Sequence, residues 1–145
     1  MNIYSGSKDW KERILSNFAF APFTIEINGQ EFECASVEGF WQGLKCEGDR
    51  RLYVFKLCAM AAKKVGADKT FKEFEIAGQK YIAGSEEHEN LIREAIKQKI
   101  LQNTHAYEAL KQSKGAITHN VPGESKPIIK MEKLLMSVRK ELFGY

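Results

Sequence analysis

We expect the chain to be organised around one predicted helix, Ser36-Val37-Glu38-Gly39-Phe40-Trp41-Gln42-Gly43-Leu44-Lys45. At about 100° per residue its apolar side chains share one stripe, formed by Val37, Phe40, Trp41 and Leu44. Along the edge of that stripe run Glu38, Gln42 and Lys45, at positions i, i+4 and i+7. A solvent-exposed helix carries its charges opposite its apolar stripe, so this placement favours the wall of a pocket.

The ends and the small residues of this predicted helix are also informative. Ser36 is a favourable N-cap, and Glu38 lies in the first turn, where the helix dipole stabilises an anion. Gly39 and Gly43 are one turn apart and leave a bare strip that another segment of backbone can approach. The alternative interpretation is ordinary core packing, because Glu and Lys two turns apart are common on amphipathic helices.

The composition predicts one globular domain over residues 1–145. A chain of 145 residues with 43% hydrophobic content is long enough to bury a sizeable core without disulfides. Its 22 basic and 19 acidic residues are interspersed and give a formal net charge of +3, which favours anionic ligands only weakly.

The cysteines and the lack of long apolar segments bear on the compartment. Cys34, Cys46 and Cys58 are odd in number, and their spacing fits neither a disulfide framework nor a zinc site. We therefore expect reduced thiols, no bound metal and a cytoplasmic location. No segment approaches the roughly 20 apolar residues of a membrane span, so no membrane association is expected. The oligomeric state stays open.

A β-hairpin is predicted directly before the central helix. Residues 23–27 and 30–34 alternate apolar and polar side chains, as strands with one buried face do. Between them, Asn28-Gly29 suits the two positive-φ positions of a type I′ turn.

The rest of the sequence is mainly helical in its periodicity. Helices are predicted over residues 51–65, 68–76, 86–102, 105–113 and 128–143, with short strands at 3–4 and 116–120. The expected N-caps are Asp49, Ser85 and Thr104, and the expected stops are Gly66, Gly78 and Gly115. The predicted fold class is therefore α+β, a mainly helical single domain with a small β-hairpin or sheet.

Several further side chains are candidates for ligand contacts. Ser16-Asn17, followed by Phe18, is either a turn or a hydrogen-bonding clamp for a ribose or base edge. Trp10 either covers the core edge or stacks on a ligand. Lys99 lies on or beside an apolar stripe, where it is either a snorkelling side chain or a cation aimed at phosphate. A lone loop histidine such as His119 is more often incidental than catalytic.

Some enzyme classes lack sequence support. The chain has no G-x-x-x-x-G-K-[ST], no G-x-G-x-x-G after a strand, no G-x-S-x-G and no H-E-x-x-H. ATP hydrolysis, a Rossmann dinucleotide site, serine-esterase chemistry and zinc proteolysis are therefore not predicted.

Four motifs in order resemble the signature of the NADAR superfamily, also called YbiA-like. They are Leu15-Ser16-Asn17-Phe18, Pro22-Phe23-Thr24-Ile25, Ser36-Val37-Glu38 and Gln42-Gly43-Leu44-Lys45. The similarity continues more weakly through residues 61–66, 96–99 and 135–142. It thus covers most of the chain, with its specificity concentrated between residues 15 and 45.

The resemblance implies an N-glycosidase of α+β fold that uses no cofactor. Members of the family cleave the N-glycosidic bond of phosphoribosylamino-pyrimidine intermediates of riboflavin synthesis, or remove ADP-ribose from guanine in nucleic acid. The expected partner is accordingly a nucleotide or ADP-ribosyl small molecule, or an ADP-ribosylated nucleic acid. The catalytic glutamate and lysine of the family correspond to Glu38 and Lys45, and its L-S-N-F asparagine corresponds to Asn17.

The chemistry of C–N cleavage suggests roles for the other candidates. Negative charge near C1′ stabilises an oxocarbenium-like state, which suits Glu38. Trp41 or Phe18 would stack on the base, while Asn17 and Gln42 would bind ribose hydroxyls. The remaining predicted substrate-binding residues are Ser16, Lys99 and His119.

Two features depart from the family pattern. The family continues S-V-E-H where this chain has Gly39, and the later D-x-x-W-G element is absent. Residues 115–120 stand in its place, and His119 or Glu124 is the candidate substitute for the acidic residue. The alternative function is therefore a non-catalytic module that binds ADP-ribose or NAD-type ligands.

Overall fold

The computed structural model describes residues 1–66, 71–120 and 128–145, which form helices and two short antiparallel hairpins. The elements in chain order are α1 (Trp10–Leu15), β1 (Phe23–Ile27), β2 (Gln30–Cys34), α2 (Val37–Gly43), α3 (Gly48–Phe55), α4 (Ala59–Gly66), β3 (Glu73–Ile76), β4 (Gln79–Ile82), α5 (Glu86–Gln102), α6 (Thr104–Gln112) and α7 (Met131–Phe143). This architecture confirms the predicted α+β class.

The first hairpin forms as its sequence predicts. Ile25 pairs with Phe32 in the antiparallel register of β1 and β2. Asn28 and Gly29 adopt φ values of 49° and 84°, as a type I′ turn requires. The hairpin packs against α5, where the Gln102 side chain bonds both the N–H and the carbonyl of Thr24 at 2.8 Å.

A second hairpin replaces the helix predicted over residues 68–76, so that prediction is wrong. Glu73–Ile76 and Gln79–Ile82 pair as β3 and β4, with Phe74 opposite Tyr81. These two rings stack with their centroids 5.1 Å apart. The turn residues Ala77 and Gly78 take positive φ, so Gly78 turns a hairpin instead of ending a helix. Residues 68–70 of the prediction lie outside the described ranges.

The single helix predicted over residues 51–65 is instead two helices, α3 and α4. The break follows from hydrogen bonds to the loop before α2: the Phe55 carbonyl accepts from the Ala35 N–H at 2.8 Å, and the Leu57 carbonyl accepts from the Ser36 hydroxyl at 2.9 Å. Ala59 then starts α4 at φ 50°. Asp49 lies inside α3 and does not cap it, since the N-cap is Glu47.

The other predicted boundaries shift by a few residues. A short helix that was not predicted, α1, begins at Trp10 with Asp9 as its cap. Asn103, not Thr104, is the N-cap of α6. In place of the two predicted short strands, the described residues form a single parallel bridge between Asn2, which precedes the first predicted strand, and Thr118.

Helix α5 is the longest element and lies at the centre of the packing. Its N-cap Ser85 accepts a bond from the N–H of His88 at 3.2 Å, as predicted. It contacts α2, α6, α7 and both hairpins. Its buried side chains are His88, Leu91, Ile92, Ala95, Ile96, Lys99 and Ile100. No helix within the described ranges is long and apolar enough to cross a membrane.

Candidate active site

Helix α2 is fixed at its start by Ser36, as predicted. The Ser36 hydroxyl accepts from the Gly39 N–H at 2.9 Å and donates to the Leu57 carbonyl at 2.9 Å. One buried side chain thus caps α2 and ties it to the segment between α3 and α4. This contact sets the position from which the later residues of α2 project.

The two glycines of α2 allow α3 to approach closely, which confirms the predicted bare strip. A Cβ atom on Gly39 would lie 3.0 Å from the Phe55 carbonyl oxygen and would overlap with the Leu57 carbonyl oxygen. A Cβ on Gly43 would overlap with the Phe55 ring. Position 39 therefore has no room for a histidine in this backbone.

Glu38 is held on both its backbone and its carboxylate. Its N–H donates to the Asn17 carbonyl at 3.0 Å, which brings the loop after α1 against the first turn of α2. The Gln42 amide donates to Glu38 Oε1 at 2.8 Å. Gln42 Oε1 is buried without a hydrogen-bond partner in the described part of the chain. Gln42 is thus committed to orienting the carboxylate.

Lys45 lies just beyond α2, whose C-cap is Leu44. Its half-buried ammonium is 5.7 Å from the Trp41 ring centroid and 5.5 Å from that of Phe71. It donates a long bond of 3.4 Å to the Gly66 carbonyl. Burial lowers the pKa of Lys45 below its ordinary value, and the nearby Glu38 charge opposes that shift. The structure therefore brings the acid and the amine within electrostatic reach of each other.

Trp41 has an aromatic partner that the sequence did not predict. Its indole stacks on the His88 imidazole with centroids 5.1 Å apart and planes 6° apart, while Phe71 meets it edge-on. His88 Nδ1 accepts from the Gly84 N–H at 3.0 Å. Burial lowers the pKa of His88 to about 4, so the ring is neutral at pH 7. One face of Trp41 is therefore occupied, and stacking on a base would need the other.

Arg51 is a buried cation whose role the sequence reasoning missed. Its guanidinium donates to the Gly43 and Leu44 carbonyls at 3.0 and 3.1 Å, and to the Glu75 carbonyl of β3. It therefore satisfies the carbonyls at the end of α2, directly before Lys45. The sequence contained an indication of this burial, because at helical spacing Arg51 shares a face with the apolar residues Val54 and Phe55.

The loop after α1 is a turn, one of the two predicted alternatives. The Ser16 hydroxyl accepts from the Phe18 N–H at 3.2 Å, and the Ser16 carbonyl accepts from the Ala19 N–H at 3.1 Å. Ser16 is buried, whereas Asn17 and Phe18 are half-buried. The Lys63 ammonium of α4 lies 5.7 Å from the Phe18 ring centroid.

Lys99 is enclosed instead of extending to solvent, so the snorkelling interpretation is wrong. Its side chain is 2% exposed, and its ammonium donates to the Ser16 carbonyl at 2.8 Å. Lys99 therefore supports the backbone of the loop that carries Asn17. Its predicted contact with a substrate phosphate is not available in this conformation.

His119 lies at the N-terminal bridge, apart from the contacts around Glu38. Its Nδ1 is 2.8 Å from the Ile3 carbonyl oxygen. Glu124, the other candidate substitute for the missing acidic residue, lies outside the described residues. In the ranges that the structure describes, no three His, Cys, Asp or Glu side chains are grouped to hold a metal ion. The three cysteines are unpaired.

The comparison with known proteins bears on the fold. The NMR structure of the E. coli protein YbiA matches this chain with a TM-score of 0.68, over 98% of this chain and 83% of YbiA. The chain is similar to YbiA in fold. Sequence identity to YbiA is 19%, so this likeness concerns architecture and leaves activity and substrate open. No family model matches the chain, and no curated protein matches its sequence.

The YbiA-like fold agrees with the fold implied by the NADAR resemblance. The motifs of that resemblance are most specific between residues 15 and 45, and the structural match to YbiA extends over 98% of the chain. The motifs carrying Asn17, Glu38 and Lys45 meet at one place in the structure, although they come from a loop, a helix and the residue after that helix.

Proposed function

We propose that this chain is an N-glycosidase that hydrolyses the C1′–N bond of an ADP-ribosylated nucleobase, such as ADP-ribosyl-guanine, or of a phosphoribosylamino-pyrimidine. The observation that carries the proposal is that the charge of Glu38 acts on a half-buried Lys45, whose ammonium lies 5.7 and 5.5 Å from the centroids of the Trp41 and Phe71 rings. The NADAR-like motifs support the same class of reaction, and the likeness to YbiA supports the fold that those motifs imply.

Glu38 supplies the negative charge that this reaction needs. Cleavage of a ribosyl C–N bond places positive charge on C1′ and the ring oxygen, and a fixed carboxylate stabilises that charge more than it stabilises the neutral ground state. The bond from Gln42 keeps the carboxylate in one orientation. In this role Glu38 also accepts a proton from the attacking water.

Lys45 has two alternative roles. As an ammonium it holds a phosphate of the substrate. As a free amine it attacks C1′ of the ring-opened substrate, where C1′ is joined to the base nitrogen as an imine, and the base leaves as its free amine while a C1′–lysine imine forms. Water then hydrolyses the lysine imine to the C1′ aldehyde and restores the free amine of Lys45. The lowered pKa of Lys45 increases the fraction of free amine at neutral pH and so favours the second role.

Asn17 and Phe18 complete the proposed substrate contacts. Both are half-buried and belong to the loop whose carbonyl binds the Glu38 N–H. In the proposal the Asn17 amide binds a ribose hydroxyl and the Phe18 ring stacks on the base. Gln42 and Lys99 act indirectly, since the first orients Glu38 and the second supports the loop.

The second candidate function is a non-catalytic module that binds ADP-ribose or an NAD-type ligand. The observation in its favour is the absence of the D-x-x-W-G element from the sequence. Such a module would use the same contacts from Asn17, Phe18 and Lys45 without activating water.

One experiment separates the two functions. The purified chain is incubated with ADP-ribosyl-guanosine and with a phosphoribosylamino-pyrimidine, released base is quantified by chromatography, and ADP-ribose binding is measured by calorimetry in parallel. Glu38→Gln serves as the matched control. Base release that depends on Glu38 supports the enzyme, and tight ADP-ribose binding without product supports the module. If the protein neither releases base nor binds ADP-ribose, both functions are refuted.

A further inference from the structure

A cavity of about 690 Å³ opens between α1 and α6, away from Glu38 and Lys45. It is lined by Ser5, Trp10, Arg13, Ile14, Ala19, Phe20 and His105. This volume falls in the range of small-molecule sites, which is roughly 300–1,000 Å³. None of these lining residues takes part in the contacts that hold Glu38 or Lys45.

Two aromatic rings at this cavity are exposed. Trp10 is 42% exposed and Phe20 is 67% exposed, and the two rings line the same cavity. The His105 imidazole meets Trp10 edge-on with centroids 6.3 Å apart. The faces of flat rings at a cavity mouth are suited to stacking on another flat ring.

The charge at this cavity is basic. Among the described residues that line the cavity, Arg13 carries a positive charge and none carries a carboxylate. A guanidinium has five N–H donors, and among the described residues Arg13 donates one bond, to the Ser7 carbonyl at 2.9 Å. No carboxylate of the described ranges forms an ion pair with Arg13. The guanidinium therefore has donors available for an anion.

We propose that the cavity between α1 and α6 binds a nucleotide, with its base stacked on Trp10 and Phe20 and its phosphate bonded to Arg13. Aromatic stacking combined with a nearby arginine is the chemistry that recognises nucleotides without reading their sequence. The cavity volume accommodates one base, one ribose and one phosphate. A nucleotide from either of two sources, free in solution or within a single strand, presents this same chemistry.

The cavity lies beside the loop that contacts Glu38. Ala19 and Phe20 line it, while Asn17, two residues earlier, bonds Glu38 through its carbonyl. One short loop thus borders both the cavity and the candidate active site. The nucleotide site stands on its own lining residues and does not depend on the proposed glycosidase activity.

The test is nucleotide binding measured by calorimetry at low salt. The probes are AMP, adenosine, inorganic phosphate and a six-residue oligodeoxynucleotide. Wild-type protein is compared with Arg13→Gln and Phe20→Ala, which alter exposed side chains and should leave the fold intact. Lys8→Gln is the matched control, because it removes one positive charge from an exposed residue outside the cavity lining.

We expect AMP to bind more tightly than adenosine or phosphate alone. Arg13→Gln and Phe20→Ala should each weaken AMP binding at least fivefold, while Lys8→Gln should change it less than twofold. Trp10 fluorescence should be quenched by AMP, and the quenching should be absent from Trp10→Phe. Clearly tighter binding of the oligonucleotide than of AMP identifies a single strand as the natural source of the nucleotide. Equal affinity for the two probes identifies a free nucleotide.

Three outcomes would overturn the inference. They are the absence of binding by AMP and by the oligonucleotide, binding that is unchanged in both cavity variants, and AMP binding that disappears in Glu38→Gln. The last outcome would move the ligand to the candidate active site. If the wild-type protein releases no base but still binds AMP, the proposed function alone is refuted.

Discussion

The Lys99 ammonium lies 2.8 Å from the Ser16 carbonyl oxygen, although the two residues are 83 positions apart. This bond joins α5 to the loop that borders both the candidate active site and the cavity. Lys99 is 2% exposed, and burial lowers its pKa to about 7. An enclosed amine of this kind gives the stability of the fold a distinctive dependence on pH.

We predict that the free energy of unfolding rises between about pH 7 and pH 10 because of Lys99. In this window the unfolded chain keeps the lysine proton, whose ordinary pKa is 10.5, and the folded chain has released it. The full effect is about 5 kcal/mol. Chemical denaturation at several pH values measures the free energy of unfolding of wild type and of Lys99→Met. The wild-type value minus the variant value should increase as the pH rises.

The matched control is Lys133→Met, which alters an exposed lysine of α7. Its stability should run parallel to that of wild type across the whole pH range. Parallel curves for Lys99→Met as well would show that Lys99 titrates normally in the folded chain.

The burial of His88 predicts that the stability of the fold also depends on pH in the acidic range. Burial lowers the His88 pKa to about 4, so between about pH 6.5 and 4 the unfolded chain binds a proton that the folded chain excludes. Stability should therefore fall as the pH is lowered through this range, by about 3 kcal/mol from this residue. Acid unfolding of His88→Gln, followed by circular dichroism, should show a flatter dependence than wild type.

An exposed histidine provides the comparison. His105→Gln removes a titratable ring from the surface and should retain the wild-type acid transition. If both variants, or neither, flatten the curve, the acid sensitivity does not arise at the Trp41–His88 stack.

The electrostatic coupling between Glu38 and Lys45 predicts that substitution of Glu38 changes the pKa of Lys45. The negative charge of Glu38 stabilises the Lys45 ammonium, so Glu38→Gln should lower the Lys45 pKa further. NMR titration of ¹³C-methylated lysines reads this pKa directly, and Lys45→Arg identifies the signal. Glu47→Gln, at an exposed neighbouring position, should leave the signal in place. An equal shift in both glutamine variants would exclude a specific pairing.

Gly39 should tolerate no side chain. In Gly39→Ala the new Cβ overlaps with the Leu57 carbonyl, so α2 and the end of α3 must move apart. We expect a loss of about 2–4 kcal/mol of stability from this overpacking. Gly6→Ala is the control, since its Cβ would meet only the movable Tyr4 ring at 3.1 Å. Similar thermal midpoints for both variants would contradict the close approach of α3.

The local features of the fold could be predicted from sequence. The Asn28-Gly29 turn, the Ser36 and Ser85 caps and the apolar face of α5 depend on residues near one another in the chain, and each formed as predicted. The second hairpin was missed because its strands have four residues each and its turn is Ala77-Gly78, a weaker signal than Asn-Gly.

The remaining errors arise from contacts between distant segments. The break between α3 and α4 depends on Ala35 and Ser36 binding carbonyls twenty or more residues later. The enclosure of Lys99 likewise depends on Ser16. In the candidate site, the helical spacing of Glu38, Gln42 and Lys45 could be recognised in the sequence. The stacking of His88 on Trp41 could not, because it joins two distant segments in the tertiary structure.

The rate of base release by Glu38→Gln and Lys45→Ala tests the central claim most directly. With ADP-ribosyl-guanosine or the phosphoribosylamino-pyrimidine as substrate, each variant should lose at least about 100-fold in kcat relative to wild type. Lys56→Ala, at an exposed lysine of the loop after α3, should retain wild-type turnover. Wild-type rates in both the Glu38 and the Lys45 variants would contradict the assignment of these two residues to catalysis.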